Sequence, residues 1–76
     1  MTVNITNKRH WAGFYEYFLD NGFSLQITHR PELREWHLFA QNPDGHSIEV
    51  CHPFFDSLRE AKANIPLILI NWKEKK

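Results

Sequence analysis

The length, composition and charge of this chain limit what it can be. It has 76 residues, so it forms one domain at most, spanning 1–76 with a small core. Nine lysines and arginines balance nine aspartates and glutamates, which argues against a protein coated with basic groups for nucleic-acid phosphates.

The ends and the cysteine content of the sequence predict a cellular location. Residues 1–4 contain no basic stretch followed by an apolar run, so we expect no secretory signal. The longest apolar run, over 65–70, is too short to span a membrane. Cys51 is the single cysteine, which rules out an internal disulfide and fits a reducing compartment. We therefore expect a cytoplasmic protein that does not contact a membrane.

The N-terminal third of the sequence has the spacing of an amphipathic helix. Asn7 is a good N-cap, and Asn21-Gly22 can end the helix with glycine in the left-handed conformation. The alternation over 2–6 leaves two alternatives open, a short extra strand or a loosely attached arm. From Lys8 onward the apolar residues recur at intervals of three and four, and they are Trp11, Phe14, Tyr15, Phe18 and Leu19.

The middle of the chain predicts a meander of three antiparallel strands. The first begins at Phe23 and stops before Pro31, the second runs over 35–41 and the third over 46–52. The run Asn42-Pro43-Asp44-Gly45 is typical of a type I turn followed by a left-handed glycine. The register that this turn sets leaves one sheet face open and places on the core face Trp36, Leu38, Ala40, Ile48 and Val50.

The C-terminal third predicts a helix that begins with a capping box formed by Ser57 and Glu60. Pro66 lies inside the apolar pattern that follows, and a proline inside a helix costs about 3 kcal/mol or more. Two interpretations stay open. They are a helix over 57–64 continued by a kinked or separate helical segment to about residue 73, and a strand over 67–71.

The predicted fold is α+β, a three-stranded antiparallel meander with an N-terminal and a C-terminal helix packed on one face. This order of elements resembles the double-stranded-RNA-binding domain. The start of the last helix is similar to that family's phosphate-binding pattern, since Ser57, Ala61 and Lys62 match and Arg59 preserves charge. The resemblance implies nucleic-acid binding, an alternative function whose candidate residues are Arg30, Arg34, Ser57, Arg59 and Lys62.

The residues that could carry chemistry do not assemble into a catalytic or metal site in this fold. Cys51 would lie opposite His37, but a nucleophilic cysteine also needs an orienting third group and a cleft. Cys51 and His52 are neighbours in a predicted strand, so they point to opposite faces and cannot share one zinc ion. We expect a protein that is not an enzyme and has no cofactor and no metal.

The favoured function is non-enzymatic binding of another protein through the open face of the sheet. Aromatic residues and low charge are typical of the centres of protein interfaces. A chain of this size suits a regulator, an inhibitor or a small subunit, including one encoded by a phage or another mobile element. We expect it to be a monomer or a homodimer. The candidate partner-binding residues are His37, Phe39, Gln41, Glu49 and Phe54.

Overall fold

The computed structural model describes residues 3–50 and 54–72. This part of the chain forms one six-stranded antiparallel sheet and one C-terminal helix. The strands are β1 (Ile5–Trp11), β2 (Phe14–Leu19), β3 (Ser24–Arg30), β4 (Glu35–Gln41), β5 (Ser47–Ile48) and β6 (Phe54–Phe55), and the helix is α1 (Leu58–Ile70). Strands β1 to β5 lie in chain order, and β6 also pairs with β4.

The predicted N-terminal helix is wrong, and so are the α+β fold with two helices and the topological likeness to a double-stranded-RNA-binding domain. Residues 5–19 form the β1–β2 hairpin instead. Gly13 closes this hairpin at a φ of 73°, a left-handed conformation that would interrupt a helix at this position. The aromatic side chains around it also pack well on a pleated sheet.

The apolar residues predicted to share one face of the N-terminal helix lie on both faces of the sheet. Tyr15 and Leu19 face α1, because Leu19 is buried in the core and Tyr15 packs against it. Trp11, Phe14 and Phe18 point to the other face, as strand alternation requires. Of the alternatives for the first residues, a strand forms from Ile5 onward. Val3 is buried, and its N–H donates to the carbonyl of Leu69 at 2.9 Å.

The second predicted strand and the turn after it are confirmed. β4 covers Glu35–Gln41, and Gly45 has a φ of 89°. The N–H of Gly45 donates to the carbonyl of Asn42 at 2.9 Å, and Ala40 lies opposite Ile48 as predicted.

The third predicted strand is shorter than expected, since β5 covers only Ser47–Ile48. β6 supplies the next pairing with β4, and Phe55 lies opposite Trp36. The predicted positions of Cys51 and His52 lie outside the described residues. The β3–β4 connection contains a short 3-10 turn over Pro31–Leu33.

Replacing Gly45 by valine should lower the free energy of unfolding by roughly 1 to 3 kcal/mol, because a β-branched residue resists a left-handed φ. Crowding is not the cause, since a Cβ atom added here would meet no other atom within 4 Å. Urea unfolding of Gly45→Val and Gly45→Asn measures the effect. The asparagine variant should lose less free energy of unfolding, since asparagine tolerates the left-handed conformation better than valine does. Equal losses would contradict a conformational origin.

The core lies between α1 and one face of the sheet. Leu25, Ile27 and Leu38 are fully buried on the sheet side, and the helix contributes Ala61, Ile65 and Ile68. The described residues contain no helix that is both long enough and apolar enough to cross a membrane.

Helix α1 is a single element that passes through Pro66 and ends at Ile70. The alternative strand over 67–71 is therefore wrong. The helical continuation past residue 64 is confirmed, and it belongs to the same helix as residues 58–64. The N-cap is confirmed, because Ser57 Oγ accepts the N–H of Glu60 at 3.2 Å. The buried residues Ile65 and Ile68 hold the helix on the sheet on both sides of the proline, whose own side chain is exposed.

Candidate protein-binding face

The sheet surface opposite α1, which we call the open face, is not covered by any element of the described ranges 3–50 and 54–72. Strand alternation sends every second side chain to it. One row of it, which we call the aromatic row, crosses five strands through directly paired residues, namely Trp11, Phe14, Thr28, His37 and Phe54. Phe39 lies in the next row and Phe18 in the row beyond it, so the open face carries five phenylalanine and tryptophan residues in all.

The rings at the two ends of the aromatic row are the most exposed aromatic groups of the face. Trp11 is 48% exposed and stacks on Phe14 with ring centroids 4.6 Å apart. Phe54 is 45% exposed and meets the ring of His37 edge-on at 4.6 Å. These rings are held in place by neighbours within the sheet, although they do not belong to the core.

A buried polar network fixes the centre of the open face. Gln26 is only 7% exposed, although no other element covers this face. Its amide nitrogen lies within hydrogen-bonding distance of Gln41 Oε1 at 2.8 Å, Glu16 Oε2 at 3.2 Å and Ser24 Oγ at 3.2 Å. The Gln41 amide in turn donates to the carbonyl of Gly45 at 3.0 Å. A satisfied network of this kind makes a surface rigid before any partner arrives.

The charges of the open face balance. Arg9 lies opposite Glu16, and Arg30 lies opposite Glu35. The Arg30 Nε also donates to Glu32 Oε1 at 3.1 Å. The guanidinium carbon of Arg9 lies 5.2 Å from the centre of the Trp11 ring. The open face therefore presents aromatic surface with opposite charges at facing strand positions around it.

The structure brings four of the five predicted partner-binding residues together. His37, Phe39 and Gln41 project from β4 onto the open face, and Phe54 lies beside His37. Glu49 is exposed but follows the end of β5, outside the paired register.

Sequence reasoning missed three aromatic residues of the open face, Trp11, Phe14 and Phe18, because it placed them on a helix. The signal that could have found them is the turn at Ala12-Gly13 between two aromatic-rich runs.

The candidate nucleic-acid-binding residues do not share one surface. Arg30 projects from the open face, whereas Arg59 and Lys62 belong to α1 on the other side of the sheet. Arg34 has a left-handed φ of 54° after the 3-10 turn. Ser57 serves as the N-cap of α1.

Within residues 3–50 and 54–72, no three histidine, cysteine or acidic side chains come together in a way that could hold a metal ion. Cys51 and His52 lie outside the described residues. The expectations of no metal, no cofactor and no enzyme activity stay predictions.

Comparison of the chain with protein-family models, curated proteins and solved structures finds no match.

Proposed function

We propose that this chain is a non-enzymatic protein that binds another protein through the open face of its sheet. The observation that carries the proposal is the continuous row of paired residues from Trp11 to Phe54, which places exposed rings at both ends of an uncovered sheet. The core has its own apolar residues on the opposite face, so these rings are not part of it. Aromatic residues are enriched at the anchoring positions of protein interfaces.

The charge of the open face favours a protein over a nucleic acid as the partner. A surface that binds single strands combines stacking rings with a positive groove that follows the phosphates. Here each arginine of the paired strands has a carboxylate opposite it, Arg9 with Glu16 and Arg30 with Glu35. The complementary partner is a protein with an apolar patch at the contact and little net charge.

The rigidity of the open face supports the same proposal. Three strands, β2, β3 and β4, supply the polar network, in which Gln26 fixes the side chains of Glu16 and Gln41 by hydrogen bonds. A surface that is already ordered loses little conformational entropy on binding, which leaves more of the contact energy for affinity.

Truncation of Phe39 to alanine should weaken partner binding by about 2 kcal/mol or more, which corresponds to a rise in Kd of roughly 30-fold. Phe39 lies beside the Gln26 network near the centre of the open face. The test isolates the partner from lysate with and without nuclease, purifies it, and measures Kd for each variant by calorimetry. Circular dichroism and urea unfolding confirm that Phe39→Ala remains folded.

Two control variants define the result. Leu67→Ala removes an apolar side chain that is 59% exposed on α1, so it should leave the affinity unchanged. The double variant Arg59→Ala, Lys62→Ala should also have little effect, and the affinity should depend weakly on salt. A steep fall in affinity with salt, together with loss of binding in the double variant, would instead indicate a nucleic-acid partner. An unchanged Kd for Phe39→Ala would contradict the assignment of the open face.

A further inference from the structure

A second surface lies on the other side of the sheet, between the edge strand β1 and α1. It is a groove of about 320 Å³ bordered by Lys8, Arg9, His10, Tyr15, Tyr17 and Lys62. Strand alternation explains its composition, because Lys8 and His10 share the α1 side of β1 with their β2 partners Tyr17 and Tyr15. Lys62 completes the groove from the helix.

The groove is positively charged and contains no carboxylate among its described lining residues. Lys8 lies opposite Tyr17 on the edge strand, so no acidic residue faces it across the β1–β2 pair. The positions three and four residues from Lys62 on α1 hold no acidic residue either. The two described ion pairs, Arg30 with Glu32 and His37 with Glu35, involve no residue that lines the groove. The two lysines therefore keep their charge available for a ligand.

Aromatic residues order the floor of the groove. The rings of His10 and Tyr15 stack with centroids 4.2 Å apart and an interplanar angle of 9°. The Lys62 Nζ lies 4.5 Å from the centre of the Tyr15 ring, which positions the ammonium group by a cation–π contact. Burial raises the pKa of the Tyr17 phenol, and the neighbouring Tyr15 raises it further. The Tyr17 hydroxyl therefore remains a hydrogen-bond donor at neutral pH.

We propose that this groove binds the phosphate group of a nucleotide, with Lys8 and Lys62 as the cationic contacts and the tyrosine hydroxyls as further donors. Charged donors and an oxyanion make the stronger class of hydrogen bond. A volume of about 320 Å³ reaches the lower end of the range of small-ligand sites, so an organic group fits beside the phosphate. The aromatic lining supplies a wall for the sugar and base.

Arg9 does not act as a third phosphate contact. It borders the groove, but it lies opposite Glu16 on the open face and its guanidinium group lies over the Trp11 ring. This site is thus separate from the proposed protein-binding face, and the two can be tested independently.

The test is calorimetric titration of the full chain with adenosine monophosphate, adenosine, inorganic phosphate and a short oligothymidylate. We expect adenosine monophosphate to bind, adenosine to bind at least about tenfold more weakly, and the affinity to fall as salt rises. Lys8→Gln and Lys62→Gln should each weaken binding about tenfold, as expected for loss of one charged contact. Binding of oligothymidylate but not of the mononucleotide, with the same lysine dependence, would support the site and identify a strand as the phosphate source.

Arg59→Gln is the matched control, because it removes one exposed positive charge from α1 outside the groove. It should leave the affinity for adenosine monophosphate unchanged, and Phe39→Ala should do the same. A titration with oligoglutamate tests whether any polyanion binds. Three results would overturn the proposal: no binding of adenosine monophosphate or of oligothymidylate, an equal loss of affinity for Arg59→Gln, and oligoglutamate binding as tight as that of the phosphate ligands.

Discussion

Truncation of Leu38 to alanine is expected to lower the free energy of unfolding by about 2 to 5 kcal/mol. Leu38 is fully buried and lies opposite Ile27, which is also fully buried, at the centre of the sheet–helix core. A chain of 76 residues has a total stability of roughly 4 to 11 kcal/mol, so this loss would leave it close to unfolding. Urea unfolding followed by circular dichroism measures the change.

Phe39→Ala is the matched control for this prediction, because the two residues are adjacent on β4 and point to opposite faces. The phenylalanine variant should lose clearly less stability, although it removes a larger side chain, since its ring is only partly buried on the open face. A larger loss for Phe39→Ala than for Leu38→Ala would contradict the assignment of the two faces.

The part of the fold that the sequence predicts well is the part specified by local chemistry. The bounds of β4, the turn at 42–45 and the N-cap at Ser57 are all as expected. Each depends on a few adjacent residues with strong conformational preferences. A glycine after Asn-Pro-Asp favours a left-handed φ, and a serine three residues before a glutamate favours a helix start.

The N-terminal hairpin could not be predicted in the same way, because its residues satisfy two periodicities at once. Five of the six residues in Phe14–Leu19 are apolar or aromatic, so helical spacing and strand alternation both find matches there. The turn that distinguishes them, Ala12-Gly13, is a weak signal compared with Asn-Gly or Asp-Gly. Residues 14–19 form a strand because they pair with β3, which is a contact that local sequence patterns do not show.

The candidate surfaces follow the same division. The β4 side of the open face was predicted because the 42–45 turn sets its register, and His37, Phe39 and Gln41 lie there. The β1–β2 side was missed together with the hairpin. The basic groove could not be found from the sequence, because Lys8 and Lys62 are far apart in the chain. They line the same groove only because α1 packs on the sheet.

Replacement of Pro66 by alanine is expected to raise the free energy of unfolding by about 1 to 3 kcal/mol. Proline is about 3 kcal/mol less favourable than alanine inside a helix, because it lacks the N–H that would bond the carbonyl four residues earlier. Here that carbonyl belongs to Lys62, which lies with Pro66 on an exposed side of α1 where water can solvate it. The native helix survives because Ile65 and Ile68 are buried against the sheet.

Pro66→Ala is expected to stabilise the fold, whereas the core and turn substitutions are expected to destabilise it. A gain in stability is therefore a strong test of a continuous α1. Leu67→Ala serves as the control for altering an exposed neighbour on the same helix, and it should change stability little. Urea unfolding and helical circular dichroism should both show the gain for Pro66→Ala. If the residues from 65 onward were extended instead, alanine would give no such gain, because the N–H of residue 66 would no longer point at the carbonyl of Lys62.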